Sequence, residues 1–421
     1  MIKIVRLYNK TSLIIRIIIG MLLGVVCAIL FPGAHALNSF GELFVGALKA
    51  VAPLLVFVLI IASLSQKNSK LDKRFALVVF LYIISTYLAS LTAVVSSFLF
   101  PQDIALSSDL INSDLNAAPD GIGEIFNGIL LGIIENPIKS ITEANYLGIL
   151  FWSIMLGLAL KKFASDNTQL VLSNISDSVT QVVRWIINLA PFGIFGLMYS
   201  AVSENGMDIF TTYGKLMLLL VATMLFVSLV LNPLIIAITL RKNPYPLVFR
   251  CLRESGFTAF FTRSSAANIP VNMELCRKLG LDRNMYSVSI PLGATINMDG
   301  AAVTITIMTL ATVHTLGINV SFPSAMLLSF ISALAACGTS GVTGGSLLLI
   351  PMACSMFGVS DSISMQVVGV GFIIGVIQDS METAINSSGD ALFTATAEYY
   401  SWKKQGKSLP KFLGGETETE I

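Results

Sequence analysis

Thr262-Arg263-Ser264-Ser265-Ala266-Ala267-Asn268-Ile269-Pro270 and Gly338-Thr339-Ser340-Gly341-Val342-Thr343-Gly344-Gly345-Ser346 decide how this chain folds. Each is a cluster of small, polar, helix-breaking residues set in the middle of an apolar stretch, where a spanning helix needs about 20 apolar residues in a row. The segments on either side of the first cluster are too short to span. Basic residues flank both of its ends, Arg250 and Arg253 before it and Arg277, Lys278 and Arg283 after it. Because Lys and Arg stay on the cytoplasmic side, this pattern predicts a hairpin that enters from inside and returns. The second cluster lacks basic flanks and predicts a hairpin from the outer face. Non-helical backbone at membrane depth is tolerated only where protein or a polar cavity satisfies it, so both tips are expected to line one shared site.

The surrounding sequence agrees with a membrane setting. Of 421 residues, 54% are hydrophobic and 12% charged, with a mean hydropathy of +0.79, against about 25% charged in soluble proteins. A soluble globular fold is excluded. The formal net charge of +1 supplies no basic field, so no nucleic-acid partner is expected. The cysteines Cys27, Cys251, Cys276, Cys337 and Cys354 show no C-x-x-C spacing and read as reduced, small apolar residues.

Apolar runs predict spans at 12–31, 41–64, 75–100, 143–160, 176–202 and 212–240 before the first hairpin, at 284–313 between the hairpins, and at 365–399 after the second. Lys3, Arg6, Lys10 and Arg16 precede the first run, and Ala34-His35-Ala36 after it mimics a signal-peptide cleavage site; with seven more spans beyond it, it reads as an uncleaved first span. Loops carrying Lys67, Lys70, Lys73 and Arg74, then Lys161 and Lys162, then Arg241 and Lys242, alternate with acidic loops carrying Asp103, Asp109, Asp114, Asp120 and Glu124, then Glu204 and Asp208. The basic loops and the Lys403–Lys411 tail belong inside, which puts both termini in the cytoplasm of a bacterial-type inner-membrane protein. The expected fold is an all-α polytopic membrane protein with eight transmembrane helices and two re-entrant helical hairpins. Hairpin-plus-span occurring twice with opposite entry faces predicts inverted repeats, although no residue-by-residue repeat is visible.

Ionisable groups are costly inside a bilayer, so each one in a span is a functional candidate. The last third has Arg263, Asp299, Asp379, Glu382 and Asp390. Four carboxylates against one guanidinium leave minus three if all are ionised, which implies bound cations or protons. Asp379, Glu382, Thr383, Asn386 and Asp390 fall at i, i+3, i+4, i+7 and i+11 and form one stripe of a helix. A structural polar seam would explain Asn and Thr but not three carboxylates. In Gly293-Ala294-Thr295-Ile296-Asn297-Met298-Asp299-Gly300 the flanking glycines weaken the helix and free carbonyls, which with the Asn and Asp oxygens suit a hard cation such as sodium; taken alone, the run also reads as a glycine kink with a capped Asp. Ser264 and Ser265 open a half-helix whose free N–H groups and positive dipole end suit an α-carboxylate, although a serine cluster by itself more often marks a solvated loop. Asp379 is then placed to hold an α-ammonium group, with Thr383 and Asn386 adding hydrogen bonds.

From about Phe257 to Glu398 these motifs occur in the order found in the sodium-coupled glutamate and neutral amino acid transporters, the dicarboxylate/amino acid:cation symporters, and the sequence resembles that family, most closely its bacterial sodium/serine-threonine branch. The resemblance implies substrate contacts from Arg263, Ser264, Ser265, Val342 and Gly344, an ammonium partner in Asp379, and carboxylate and amine contacts from Thr383 and Asn386. It implies sodium sites at Gly293, Asn297, Asn386 and Asp390; at Thr295 with Thr339; and at Asn297 and Asp299 with Tyr82, Ser85 and Thr86. Glu382 stands where acidic-substrate members carry Arg, and a second negative charge there would leave a substrate's distal carboxylate unpaired. Ala301 stands where Thr is common and leaves room for a small side chain. Serine and threonine are therefore the expected substrates, with alanine or another small neutral amino acid the nearest alternative.

The resemblance further implies a homotrimer and an elevator-type mechanism. Residues 1–74 and 101–205 would form a scaffold, 75–100 and 206–400 a transport unit, and 401–421 a cytoplasmic tail. Two other classes compete with this reading. Gly338-Thr339-Ser340-Gly341 has the G-x-S-G form of an intramembrane serine protease, with His314 as an imaginable base, but no carboxylate near His314 in sequence orients it. A cation channel would use the carboxylates as a filter, yet paired hairpin tips suit occlusion better than a pore.

Overall fold

Long runs of Leu, Ile, Val and Ala with few charges leave the backbone one way to satisfy its hydrogen bonds in hydrocarbon, and the chain takes it by forming helices. In a computed structural model, residues 11, 13–65, 73–106, 134–337, 339 and 344–416 are described. The helices in order are α1 (Leu13–Leu30), α2 (Asn38–Ser65), α3 (Lys73–Leu99), α4 (Tyr146–Phe163), α5 (Asp166–Asn188), α6 (Ala190–Asn205) and α7 (Gly206–Leu240). Then come α8 (Tyr245–Cys251, continued through Leu252–Gly256 to Phe257–Thr262), α9 (Ser265–Lys278), α10 (Arg283–Ile296), α11 (Asp299–Thr315), α12 (Phe322–Ala336), α13 (Ile350–Ser355) and α14 (Asp361–Lys404). Short polar side chains set several starts: Asn145, Ser165, Asp282, Ser321 and Ser360 each accept a first-turn N–H at the heads of α4, α5, α10, α12 and α14.

Five helical stretches among the described residues are long and apolar enough to cross a membrane: Asn38–Ala62, Arg74–Leu99, Gly206–Leu240, Arg283–Thr315 and Asp361–Lys404. They coincide with the spans expected at 41–64, 75–100, 212–240, 284–313 and 365–399. The span expected at 176–202 is different. It is a pair, α5 and α6, bent by 53°. Pro191, in the first turn of α6, has no N–H to continue the α5 ladder, so the helix ends at Asn188 and restarts.

Exposure is reversed relative to a soluble protein. Leu43 is 72% and Ile238 69% exposed, whereas Asn297, Asp299 and Thr304 are at 0%, so the apolar surface suits lipid and the polar groups lie within. Among the described residues α3 is packed on α10, α11, α12 and α14, while α6 lies on α1 and α2, and α2 on α4 and α5. One ion pair joins the two groups, Lys49 Nζ of α2 to Asp361 Oδ2 at the head of α14, at 2.8 Å.

Close helix approach here depends on absent side chains. A Cβ on Gly20 would sit 2.2 Å from the Pro191 carbonyl oxygen, and one on Gly196 would sit 2.4 Å from the Gly41 nitrogen. Both obstacles are backbone and cannot swing aside. Gly196→Leu is therefore expected to force α6 off α2 and cost about 3 kcal/mol or more of stability, read as a lowered melting temperature in detergent.

Candidate functional site

Residues from the two small-polar clusters meet on one carboxylate. At the first tip α8 ends on Arg263, whose φ of +52° is left-handed, and Ser264 is extended with its Oγ accepting the Ala267 N–H at 3.2 Å to start α9. A non-glycine residue in that region costs about 1–2 kcal/mol, and tertiary contacts hold it. Arg263 Nε donates to Asp379 Oδ2 at 2.6 Å and its Nη2 to the Gly375 carbonyl at 3.3 Å. The other oxygen, Asp379 Oδ1, accepts the Gly344 N–H of the second tip at 3.0 Å. Gly344 has φ +72°, and a Cβ there would lie 2.8 Å from the Phe372 ring. Ser265 is buried in the first turn of α9. Val342 lies outside the described residues. Arg263, Gly344 and Asp379 line a crevice closed on its far side by Ile17 of α1, Ile187 of α5 and Ala190 of α6.

The second group forms where the expected weakening between Gly293 and Gly300 becomes a complete break. α10 stops at Ile296, Asn297 and Met298 are non-helical, and α11 starts at Asp299. Side chains replace the lost ladder. Thr86 Oγ1 accepts the Met298 N–H at 3.2 Å and Asn386 Oδ1 the Gly300 N–H at 2.7 Å.

Two carboxylates flank this break. Asp299 Oδ1 accepts hydrogen bonds from Ser85 Oγ at 2.9 Å and Thr86 Oγ1 at 3.2 Å. Asp390 Oδ1 accepts from Asn297 Nδ2 at 3.1 Å, while Asp390 Oδ2 is buried with no hydrogen-bond partner among the described residues. Asn297 joins them, since its Nδ2 also reaches the Asn386 carbonyl at 2.9 Å and its Oδ1 accepts Ser85 Oγ at 3.3 Å. Tyr82 divides its groups: its carbonyl accepts Ser85 Oγ at 3.0 Å, but its hydroxyl belongs to the Asp390 side, donating to the Asp390 carbonyl at 3.0 Å. Each set offers neutral oxygens around a carboxylate, which suits a hard cation of low charge. No three His, Cys, Asp or Glu converge among the described residues.

The hydroxyls of Thr295, Thr339 and Thr383 and the ring of His314 have protein partners of their own. Thr295 and Thr339 are not hydrogen-bonded to each other; each hydroxyl returns to a carbonyl of its own segment, Leu292 at 2.7 Å and Ala336 at 2.8 Å. Thr383 Oγ1 likewise donates to the Asp379 carbonyl at 2.7 Å. His314 does have a carboxylate partner, Asp103 Oδ1 at 2.9 Å, reached across 211 positions of sequence. It sits at the far end of α11 from Asp299, about 22 Å along the helix at 1.5 Å per residue.

Glu382 is buried, and one of its oxygens is crowded. Its Oε2 accepts from Thr304 Oγ1 at 2.8 Å, Ser346 Oγ at 2.8 Å and Gln378 Nε2 at 2.6 Å. Gly300 permits this approach, because a Cβ there would lie 2.7 Å from Glu382 Cα. Sequence reasoning misses Gln378 and Thr304, the pairing of Ser346 of the second cluster with Glu382, and also Asn232, which donates to Asp299 Oδ2 at 2.9 Å. A signal for Gln378 exists: it sits four residues before Glu382, on the same helical face.

Compared with known proteins, residues 13–399 match the sodium:dicarboxylate symporter family. The chain belongs to that family. Among curated relatives of this symporter, the serine/threonine transporter SstT of Bifidobacterium adolescentis is 58% identical over 412 residues, covering 98% of this chain and 95% of that one. The protein of the same name from Streptococcus agalactiae is 57% identical over 396 residues, 94% of this chain and 98% of its own. That of Streptococcus thermophilus is 52% identical over 402 residues, 96% and 99%. The relatives of the symporter are thus named as transporters, and the protease reading falls with them.

Proposed function

We propose that this symporter takes up serine and threonine, driven by sodium, across the bacterial cytoplasmic membrane. The observation that carries the reading is Asp379, held between the two hairpin tips by Arg263 and Gly344. A carboxylate there receives an α-ammonium group, and the head of α9 at Ser264 and Ser265 receives the α-carboxylate. Glu382 supports a neutral side chain, since a second carboxylate on the substrate would face a buried acid with no cation to pair it. The names of the relatives support the two hydroxyl amino acids over alanine.

The architecture goes with this reading. It comprises eight spans and two re-entrant hairpins, both termini cytoplasmic, a homotrimer built on the scaffold 1–74 and 101–205, and a moving unit of 75–100 and 206–400. Hydrogen bonds from Ser85 and Thr86 of α3 to Asp299 of α11 support moving α3 with that unit. Sodium at Asp299 and Asp390 offsets their charge, and substrate then lets the tip at 338–346 close. The loaded unit slides past the scaffold, with each charge worth about 2.3 kcal/mol per 100 mV.

Uptake of labelled serine into proteoliposomes tests the proposal. An inward sodium gradient is expected to drive accumulation that potassium does not, blocked by threonine and not by aspartate. Aspartate uptake would overturn the substrate class; no accumulation under any gradient by folded protein would overturn the coupling. Glu382→Arg is expected to lower serine uptake and let aspartate compete, measured in the same vesicles.

A further inference from the structure

The cluster around Asp299 draws one member, Asn232, from a helix with no charged or helix-breaking polar cluster to mark it. Asn232 comes directly after a π-helical turn, Val227–Leu231, and precedes Pro233 in α7. A π turn adds one residue to a helical repeat and so re-aims the side chains beyond it, and such turns recur at functional sites. Here the re-aimed side chain is 2% exposed and reaches the buried carboxylate, with Nδ2 donating to Asp299 Oδ2 at 2.9 Å. Its other end is left over. Asn232 Oδ1 is buried and has no hydrogen-bond partner among the described residues. The amide cannot relieve this by turning over while the site is as seen, because its oxygen would then face a carboxylate oxygen.

A cation on Asp299 removes that obstacle. With positive charge in place, the end of the amide that suits the carboxylate becomes the wrong one, and the oxygen becomes the right one. We infer that Asn232 is a ligand of the sodium ion held at Asp299, its amide turning by half a revolution so that Oδ1 coordinates the ion. In the arrangement seen here the same side chain holds Asp299 by its N–H. This rests on the assignment of Asp299 to a sodium site made under Proposed function.

The test is a sodium titration of thermal stability on the purified full-length protein in detergent, with potassium at matched ionic strength as control. It does not depend on transport. Asn232→Leu and Asn232→Ala are expected to raise the half-maximal sodium concentration by about tenfold or more. Asn232→Asp keeps an oxygen but no N–H, and is expected to stay within about threefold of the native protein. If Leu, Ala and Asp variants all weaken sodium alike, Asn232 only props Asp299 through its N–H and the inference falls. Using both Leu and Ala keeps the test decisive should one fail to fold. Asp299→Asn separates the two levels: if it leaves the titration unchanged, the sodium assignment itself is wrong, whereas if it weakens sodium and neither Asn232→Leu nor Asn232→Ala does, only the ligand role of Asn232 is lost.

Discussion

Asp390→Asn is expected to raise the sodium concentration needed for half-maximal serine uptake by about 100-fold, corresponding to about 3 kcal/mol. The geometry around this carboxylate leaves it short of a partner. Oδ1 takes one amide N–H, from Asn297, and Oδ2 is buried with no partner among the described residues. Opposite it, Gly293 has no side chain, and a Cβ there would lie 2.7 Å from Asp390 Oδ1 and 2.8 Å from the Tyr82 hydroxyl. The glycine therefore lets a carboxylate and a hydroxyl approach its backbone closely, in an interior where unpaired charge is costly. Asn has nearly the same shape as Asp, so packing survives and the loss falls on the ion. Uptake measured against sodium, alongside the sodium titration of melting temperature, checks this. Normal uptake by the variant at low sodium would remove Asp390 from the ion's coordination.

The contrast between Asp390 and Asn232 shows what was legible in the sequence. Asp299, Asp379, Glu382 and Asp390 stood out because a carboxylate within a span needs a reason to be there, and the two tip clusters because a membrane does not tolerate broken helices without one. Asn232 and Thr304 carry no charge, and a single neutral polar residue in a span is too common to signal anything; Ser346 belongs to the second tip cluster, but nothing in the sequence pairs it with Glu382. Their partners lie far off in sequence: Asn232 meets Asp299 67 positions away, Thr304 meets Glu382 78 away, and Ser346 meets Glu382 36 away. Such pairs exist only once α7, α11 and the segment around Ser346 are packed with α14. The same limit hid the pairing of His314 with Asp103, and it left the bend at Leu189 looking like continuous apolar sequence, because Pro191 falls inside a stretch whose hydropathy does not change. Family order supplied what charge and periodicity did not, namely that Tyr82, Ser85 and Thr86 of α3 belong with Asp299. Ser85 and Thr86 do reach that carboxylate, whereas the Tyr82 hydroxyl serves Asp390 instead.

Asp379→Asn is expected to reduce serine uptake by at least about 100-fold while leaving the sodium titration of thermal stability nearly unchanged. Two effects add. The substrate loses the only carboxylate that both clusters approach among the described residues, and Arg263 is left as a buried cation without this partner, in the place proposed for the α-ammonium group. The second effect also threatens the fold, since breaking a buried ion pair from one side costs about 3–5 kcal/mol. The double variant Arg263→Gln, Asp379→Asn separates them. It removes both charges, so it is expected to recover the melting temperature lost by Asp379→Asn, yet it still offers no anion to an ammonium group and is expected to remain inactive. Recovery of uptake together with stability would make the pair a structural staple of the hairpins. Stability without uptake would mean that Arg263 holds the place of the substrate's ammonium group until substrate arrives, which is what a buried guanidinium 2.6 Å from the carboxylate proposed to bind substrate is positioned to do.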